Sequence, residues 1–324
     1  MTIVFPRLVA AACIAVLPMQ FSLAQDFPTK PITLVVPFPP GGATDMIARQ
    51  VGTALGERLG QTVIVENKAG AGTIIGAGAV ARATPDGYTL LISSGTTFTV
   101  NPAIYAKLPY DPQKNFEPIA LIGRSPMILL ANSTAPFNNF KELVAAAKAD
   151  PAKYSYGSYG NGTTAHFAGE MMQHAGGFVM RHMPYKGSAP AMTDLMGGHI
   201  PLSVDTLAAA LPQLKSGKIK AIAVTTAKRS PLAPQIPTVA ESGYSGFDAD
   251  TWIAILGPHG IPPLAKARLE KALAETLADK EVSAKMVASG FEPTFGTSGQ
   301  LARLIADEIP RMKEIAQRAN IRLD

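Results

Sequence analysis

Ile32-Thr-Leu-Val-Val-Pro-Phe-Pro-Pro-Gly-Gly-Ala-Thr-Asp-Met-Ile-Ala-Arg49 reads as a buried strand, a Pro/Gly turn and the opening of a helix. The short β-branched run Ile32–Pro37 supplies the strand. Ile47, Val51, Leu55 and Leu59 then recur on one helical face, and Gly60 ends the helix. Such a turn aims several unpaired backbone N–H groups, and the positive end of a helix dipole, at one point. That geometry holds an anion without a basic side chain.

Strand and helix signals alternate beyond it. Val63–Val65 is a strand, Ala69-Gly-Ala-Gly72 a glycine-rich turn, and a helix of small residues is expected from about Thr73 to Ala83. Pro85-Asp-Gly87 turns the chain into the strand Tyr88–Ser93. This β-α-β-α-β order predicts a parallel, doubly wound sheet. Ligands of such sheets sit at the carboxyl ends of strands, where Pro39–Gly42, Gly70–Thr73 and Ser93–Thr97 fall, so Gly72, Ser93 and Ser94 are candidate contacts. Phe116–Gly123 and Met127–Ala131 look like strands joining one lobe to another. A second α/β set follows: helix Asn139–Lys148, strand Tyr154–Tyr156, the turn Gly157–Thr164 and a helix from near Ala165. Arg181–Pro184, helix Ala189–Met196 and strands His199–Val204 and Ile219–Thr225 continue it. Thr251–Leu256 reads as a return to the first lobe, closed by helices Pro263–Leu277 and Ser298–Ala319. The expected layout is a discontinuous first domain, 25–126 plus 248–324, with 127–247 inserted as a second.

Residues 1–24 have the make-up of an export signal. Arg7 supplies the positive region, Leu8–Met19 is apolar, and Ser22-Leu-Ala24 offers small residues for cleavage. The apolar run is too short for a membrane anchor and contains Pro18, and no later run approaches ~18 apolar residues. The expected location is the periplasm, with cleavage near Ala24. The single cysteine, Cys13, falls inside the signal, so the mature chain has no disulfide, Cys-based metal site or Cys nucleophile. Lys and Arg number 29 against 24 Asp and Glu, scattered without a basic run, which argues against nucleic acid as a partner.

By itself Pro39–Gly42 with Asp45 also reads as a tight connection capped for packing. The second Gly-rich turn shifts that balance. Gly157-Ser-Tyr-Gly-Asn-Gly-Thr-Thr164 contains Gly160 and Gly162 and carries Ser158, Asn161, Thr163 and Thr164 as hydrogen-bonding groups ahead of a second helix. Two anion-accepting helix N-termini, one per lobe, point to a cleft gripping the two ends of a small acid. Thr163 or Thr164 as a plain N-cap stays open beside a ligand contact. His166, Glu170 and His174 recur every four residues on one helical face. A metal site is set aside, because no fourth ligand is near, H-E-x-x-H is absent and the residues span two turns. His166 is instead expected to face the cleft. Gly76–Ala81 matches the dinucleotide fingerprint only loosely and inside a helix, and neither a Walker loop nor a G-x-S-x-G elbow occurs, so no cofactor is expected. Asp205, at another strand end, would repel an acid and is read as binding an amine or holding a loop or the hinge. Lys186, Arg124 and Arg181 are the cations that could reach an anion.

These segments together resemble the substrate-binding proteins of tripartite tricarboxylate transporters, the Bug family of periplasmic receptors. The resemblance is carried by Pro31–Asp45, Val65–Gly72, Pro85–Leu90, Gly160–His166, Met183–Ala191, Asp194–Gly198 and Pro237–Gly243, and covers essentially the whole mature chain. It implies a two-domain α/β fold of the periplasmic-binding-protein-like type II kind, each domain a doubly wound, mainly parallel sheet, joined by crossover strands. It also implies a carboxylated solute held between the lobes and delivered to inner-membrane permease subunits. The family's first-lobe ligand loop maps onto Phe38, Pro40, Gly41 and Gly42. Its second-lobe carboxylate turn maps onto Gly162, Thr163, Thr164 and His166. A Gly-Thr-Pro or Gly-Ser-Gly pattern is common in the family where this chain has Gly160-Asn-Gly-Thr.

The expected function is capture of a small organic acid by a monomer, without catalysis. Two rivals stay open: an exported hydrolase or isomerase using Ser93, His166 and Asp205, and a ligand-presenting sensor subunit of a signalling system. The ligand's identity is not legible, because main-chain and water contacts leave little trace in side chains.

Overall fold

A computed structural model describes residues 27–323. The export-signal segment, with Arg7, Cys13 and the cleavage position at Ala24, lies outside them. Strand β1 (Ile32–Val36) is buried at every residue except Thr33 and turns into helix α1 (Ala43–Leu59). The α1 face that packs inward carries Ile47, Val51 and Leu55, all fully buried. Gly60 stops the helix in the left-handed region (φ 69°) and returns its N–H to Gly56 O, a closure that disfavours a Cβ. Gly56 itself is obligatory for packing, since a Cβ there would lie 2.9 Å from Gln61 O.

β2 (Val63–Asn67) and β3 (Thr89–Ser94) flank β1, both parallel to it. Between them a tight 3-10 turn, Ala71–Thr73, leads into α2 (Ile74–Ala81). That helix starts later than Thr73 and ends before Ala83 because Ala71, Gly72 and Thr73 take positive φ values of 46°, 58° and 81°. After β3 a wide π-type turn, Thr96–Val100, runs into the single turn α3 (Asn101–Ile104).

β4 (Phe116–Asn132) merges the two strands expected at Phe116–Gly123 and Met127–Ala131 into one. Then follow α4 (Phe140–Ala149), β5 (Ser155–Ser158), α5 (Thr164–Gly176), β6 (Arg181–Pro184) and α6 (Ser188–Met196). β7 (Leu202–Thr206), α7 (Leu207–Leu214), β8 (Ile219–Val224) and β9 (Asp250–Pro258) come next. The chain closes with α8 (Pro263–Ala278), α9 (Lys280–Ala288), β10 (Glu292–Thr297) and α10 (Ser298–Arg318). Sequence periodicity missed α7, α9 and β10 and put the β7 strand too early, at His199. The reasons are physical: α9 fully buries only Met286, and β10 contains Pro293 and Gly296 and exists through its pairing with β4.

The sheet order is β2-β1-β3-β9-β4-β7-β5-β6, with β8 and β10 also paired to β4. Parallel pairing is confined to β2-β1-β3 on one side and β7-β5-β6 on the other. The centre is antiparallel, because β4 carries the chain out of the first lobe and β9 brings it back. The first half of β4 pairs with β9 and β10, the second half with β7 and β8. Each lobe has a core on both faces of its strands. Leu34, Leu55 and Leu269 lie in one and Phe98, Phe116 and Trp252 in another. In the second lobe Phe140, Tyr156 and Leu202 oppose Ile128, Leu195 and Leu207. A smaller cluster of Val100, Ile104, Phe167 and Ile321 joins the lobes.

Candidate functional site

The Pro39–Gly42 loop is shaped from behind by Asp45, in the first turn of α1. Asp45 Oδ2 accepts the Gly41 N–H at 3.0 Å, and Oδ1 accepts Arg49 Nη2 and Asn67 Nδ2, each at 2.9 Å. Asn67 Nδ2 also donates to Phe38 O at 3.1 Å. Burial pushes the Asp45 carboxyl up, but the bonds from Arg49, Gly41 and Asn67 outweigh it and hold the pKa below its ordinary value. Asp45 therefore fixes the loop and lies outside the cavity lining.

That loop borders a cavity between the lobes, where about 450 Å³, open solvent included, is free of protein atoms. The first lobe contributes Phe38, Gly42, Thr44 and Ser94; the crossover strands contribute Ser125 of β4 and Thr251 and Ile253 of β9. The second lobe adds Tyr159, Gly187, Ser188, Asp205 and Thr206. Phe38 and Tyr159 meet edge to face across the cleft, centroids 6.2 Å apart. The two loops touch: a Cβ on Gly187 would lie 3.1 Å from Pro39 Cγ, and one on Gly42 would lie 3.7 Å from Ser188 Oγ. Gly187 is also at φ 108°, so this close approach needs glycine twice over.

Three helices therefore point their N-termini at one space. Gly42 and Gly187 cap α1 and α6 without any side-chain acceptor, which leaves first-turn N–H groups available to an anion. Thr206 caps α7, its Oγ1 accepting the Ala209 N–H at 3.2 Å. Among the described residues, no Lys, Arg or His lines the cavity. Arg124 is committed to Asp250 at 2.6 Å, and Arg181 and Lys186 are exposed.

Asp205 is fully buried. Its Oδ1 accepts the Thr206 N–H at 2.7 Å and the Ser188 hydroxyl at 3.1 Å, while Oδ2 has no partner among the described residues. Burial pushes its carboxyl up to about 7, against the lowering effect of those bonds. Ser125 Oγ and Thr251 Oγ1 are likewise buried without partners.

The second-lobe turn does not line the cavity, apart from Tyr159. Gly160, Asn161, Gly162, Thr163, Thr164 and His166 are occupied elsewhere. Thr163 is the N-cap of α5, its Oγ1 accepting the His166 N–H at 3.4 Å and donating to Gly160 O at 2.7 Å. The Gly162 N–H donates to His166 Nδ1 at 3.3 Å, and the Thr164 N–H to Thr96 Oγ1 at 3.0 Å. Asn161 is exposed, and its carbonyl would lie 3.0 Å from a Cβ on Gly72. His166 does not face the cleft: it stacks on His182 with centroids 4.0 Å apart, and His182 stacks on Tyr156. Burial lowers His166 to about 4 and His182 to about 3, the second with help from its neighbour, so both rings are neutral at neutral pH. His174 lies on a separate surface groove, and among the described residues no three His, Cys, Asp or Glu side chains converge on a metal position.

Other expected positions also fall behind the site. Ser93 Oγ bonds Thr97 Oγ1 at 2.6 Å, and Asn101 Nδ2 donates to Gly72 O at 2.8 Å, so both residues belong to a buried polar network. Pro40 and Gly41 are exposed outside the lining. Ser93, His166 and Asp205 each bond other groups and form no catalytic relay. Of the expected contacts, Phe38, Gly42, Ser94 and Asp205 meet at the cavity. Ser125, Thr251, Tyr159, Ser188 and Thr206 line it as well and were not among the expected contacts. The signal for Ser188 was present in Met183–Ala191, whereas Ser125 and Thr251 are ordinary strand hydroxyls until register pairs them.

Residues 47–321 match the family model described as TctC, tripartite tricarboxylate transporter family receptor. Protein BugT of Bordetella pertussis is 36% identical over 301 residues, covering 93% of this chain and 92% of BugT. Rpa4515 of R. palustris, solved with adipate, superposes with a TM-score of 0.89 at 35% identity, covering 92% of this chain and 99% of that one. MatC of Rhodopseudomonas palustris, solved with malate, gives 0.85 at 30% identity, covering 89% and 99%. On this combination of a two-lobed α/β fold, an interlobe cavity and whole-length similarity, the chain belongs to the Bug family of tripartite tricarboxylate transporter receptors, which are solute-binding proteins.

Proposed function

We propose that this protein is an exported periplasmic receptor, its signal cleaved near Ala24, that captures a small carboxylate and hands it to the permease subunits of a tripartite membrane transporter. It acts as a monomer and performs no catalysis. The lobes are 25–126 with 248–324, and 127–247, and capture is closure of one on the other about β4 and β9. The observation that carries this reading is the convergence of the open N-termini of α1 and α6 on one cavity that no basic side chain among the described residues lines. Main-chain donors there favour a carboxylate by charge-assisted hydrogen bonds, each about 1.5–3 kcal/mol. Family relatives bound to adipate and malate support the ligand class.

A melting-temperature screen of the mature protein against dicarboxylates, tricarboxylates, aromatic acids and amino acids tests it. At least one acid should raise Tm in a saturable way and be recovered unchanged. Turnover of that acid would instead favour the exported hydrolase, and a panel without any shift would remove the receptor reading.

A further inference from the structure

The cavity has two chemically different ends. Toward α1 and α6 it offers backbone donors, which suit an anion. Toward the crossover strands and β7 it offers Asp205 Oδ2, Ser125 Oγ and Thr251 Oγ1, all buried and all without partners. Ser125 and Thr251 are register partners on adjacent strands, so their side chains share one face of the sheet, and both line the cavity. Asp205 Oδ1 is already engaged by Thr206 and Ser188, which leaves Oδ2 as the unpartnered acceptor of a residue that lines the cavity. A buried carboxylate without a counter-cation is costly, and no Lys, Arg or His of the lining supplies one.

Resting on the receptor reading above, we propose that the ligand is an amino carboxylate whose ammonium group seats against Asp205 Oδ2, with the Ser125 and Thr251 hydroxyls as its further partners. An ammonium has three donors and no acceptor, which matches three unpaired oxygen atoms. Its charge also offsets the buried carboxylate, whereas a plain diacid sets one anion against another. Asp205 is then the residue that separates amino acids from their deaminated analogues.

The test is a matched-pair titration of the mature protein, read by Tm and calorimetry: aspartate against succinate, glutamate against glutarate, phenylalanine against 3-phenylpropionate. At least one amino acid should bind ten-fold or more tighter than its deaminated partner, and N-acetylation should remove that advantage. Asp205→Asn should bring the pair to within about three-fold. Ser125→Ala, a smaller change that leaves Asp205 in place, should lower the amino acid's affinity more than the diacid's. If deaminated acids bind as well or better, or if Asp205→Asn keeps the preference, the ammonium seat is wrong while the carboxylate receptor stands. If no acid of either kind binds, both readings fall together.

Discussion

The hydroxyl of Thr96 accepts the Thr164 N–H at 3.0 Å, so the N-terminus of α5 in the second lobe is capped by a side chain from the first. This bond spends an amide that would otherwise be open to an anion, and it latches the lobes beside Gly72 and Asn161. Thr96→Ala leaves the Thr164 amide buried without its partner, at a cost of about 1–3 kcal/mol. At roughly 2–4 °C per kcal/mol for a chain of this size, Tm of the ligand-free protein should fall by several degrees. Hydrogen exchange at the Thr164 amide should accelerate in the same variant. An unchanged melt with unchanged exchange would dispose of the latch.

Gly42 reads differently from the other loop glycines. Its backbone is extended (φ −82°, ψ 170°), and a Cβ there meets nothing nearer than Ser188 Oγ at 3.7 Å. Gly42→Val is therefore compatible with folding and should leave the ligand-free Tm within about 2 °C, since no strained φ or backbone clash is introduced. Its methyl groups enter the space between the α1 and α6 N-termini, so the ligand-induced Tm shift should vanish. A preserved shift would take this loop out of the binding site.

Asp45 acts through the loop it holds. Asp45→Ala removes the acceptors for Gly41, Arg49 and Asn67, and so takes away the anchor of the Asn67 amide that holds Phe38 O. Ligand affinity should drop about ten-fold, with about 1–3 kcal/mol lost from stability. Titration calorimetry and a denaturant melt separate the two effects. Wild-type affinity in a destabilised variant would mean the loop keeps its shape unaided.

The His166–His182 stack makes stability depend on acid. Both rings have lowered pKa values in the fold, about 4 and about 3, against 6.5 when free. Between pH 6.5 and about 4 the unfolded chain therefore binds more protons, and stability falls as pH falls. Asp205 works the other way: with its carboxyl raised to about 7, the ligand-free fold gains stability as pH falls from that value. Comparing wild type with His182→Gln isolates the ring. The wild-type advantage should shrink between pH 6.5 and 4 by up to about 1.4 kcal/mol per pH unit. A pH-independent difference would mean that His182 titrates normally.

Local order was largely readable before any coordinates. The run Ile32–Val36, the apolar stripe Ile47–Val51–Leu55 and the stop at Gly60 are short-range signals, and each element formed where the pattern placed it. Asn139 and Thr163 act as helix caps at the positions their side chains suggest. The second turn, expected to offer free amides, has partners that local sequence does not reveal. Its amides look free until Thr96, His166 and the stacked His182 are packed against them. The same holds for α9 and β10, whose existence depends on the neighbours they cover.

What the chain alone determined is the kind of site: glycine-rich turns without basic residues opening helices, and a two-lobed α/β order, all encoded by neighbours along the backbone. Only the tertiary structure decided which helix N-termini face each other, pairing α1 with α6 through Gly42, Pro39 and Gly187. It alone brought Ser125, Thr251 and Asp205 to the lining of one cavity, by the register of strands far apart in sequence. Register and burial are properties of the whole sheet, and a pattern confined to a few adjacent residues does not contain them.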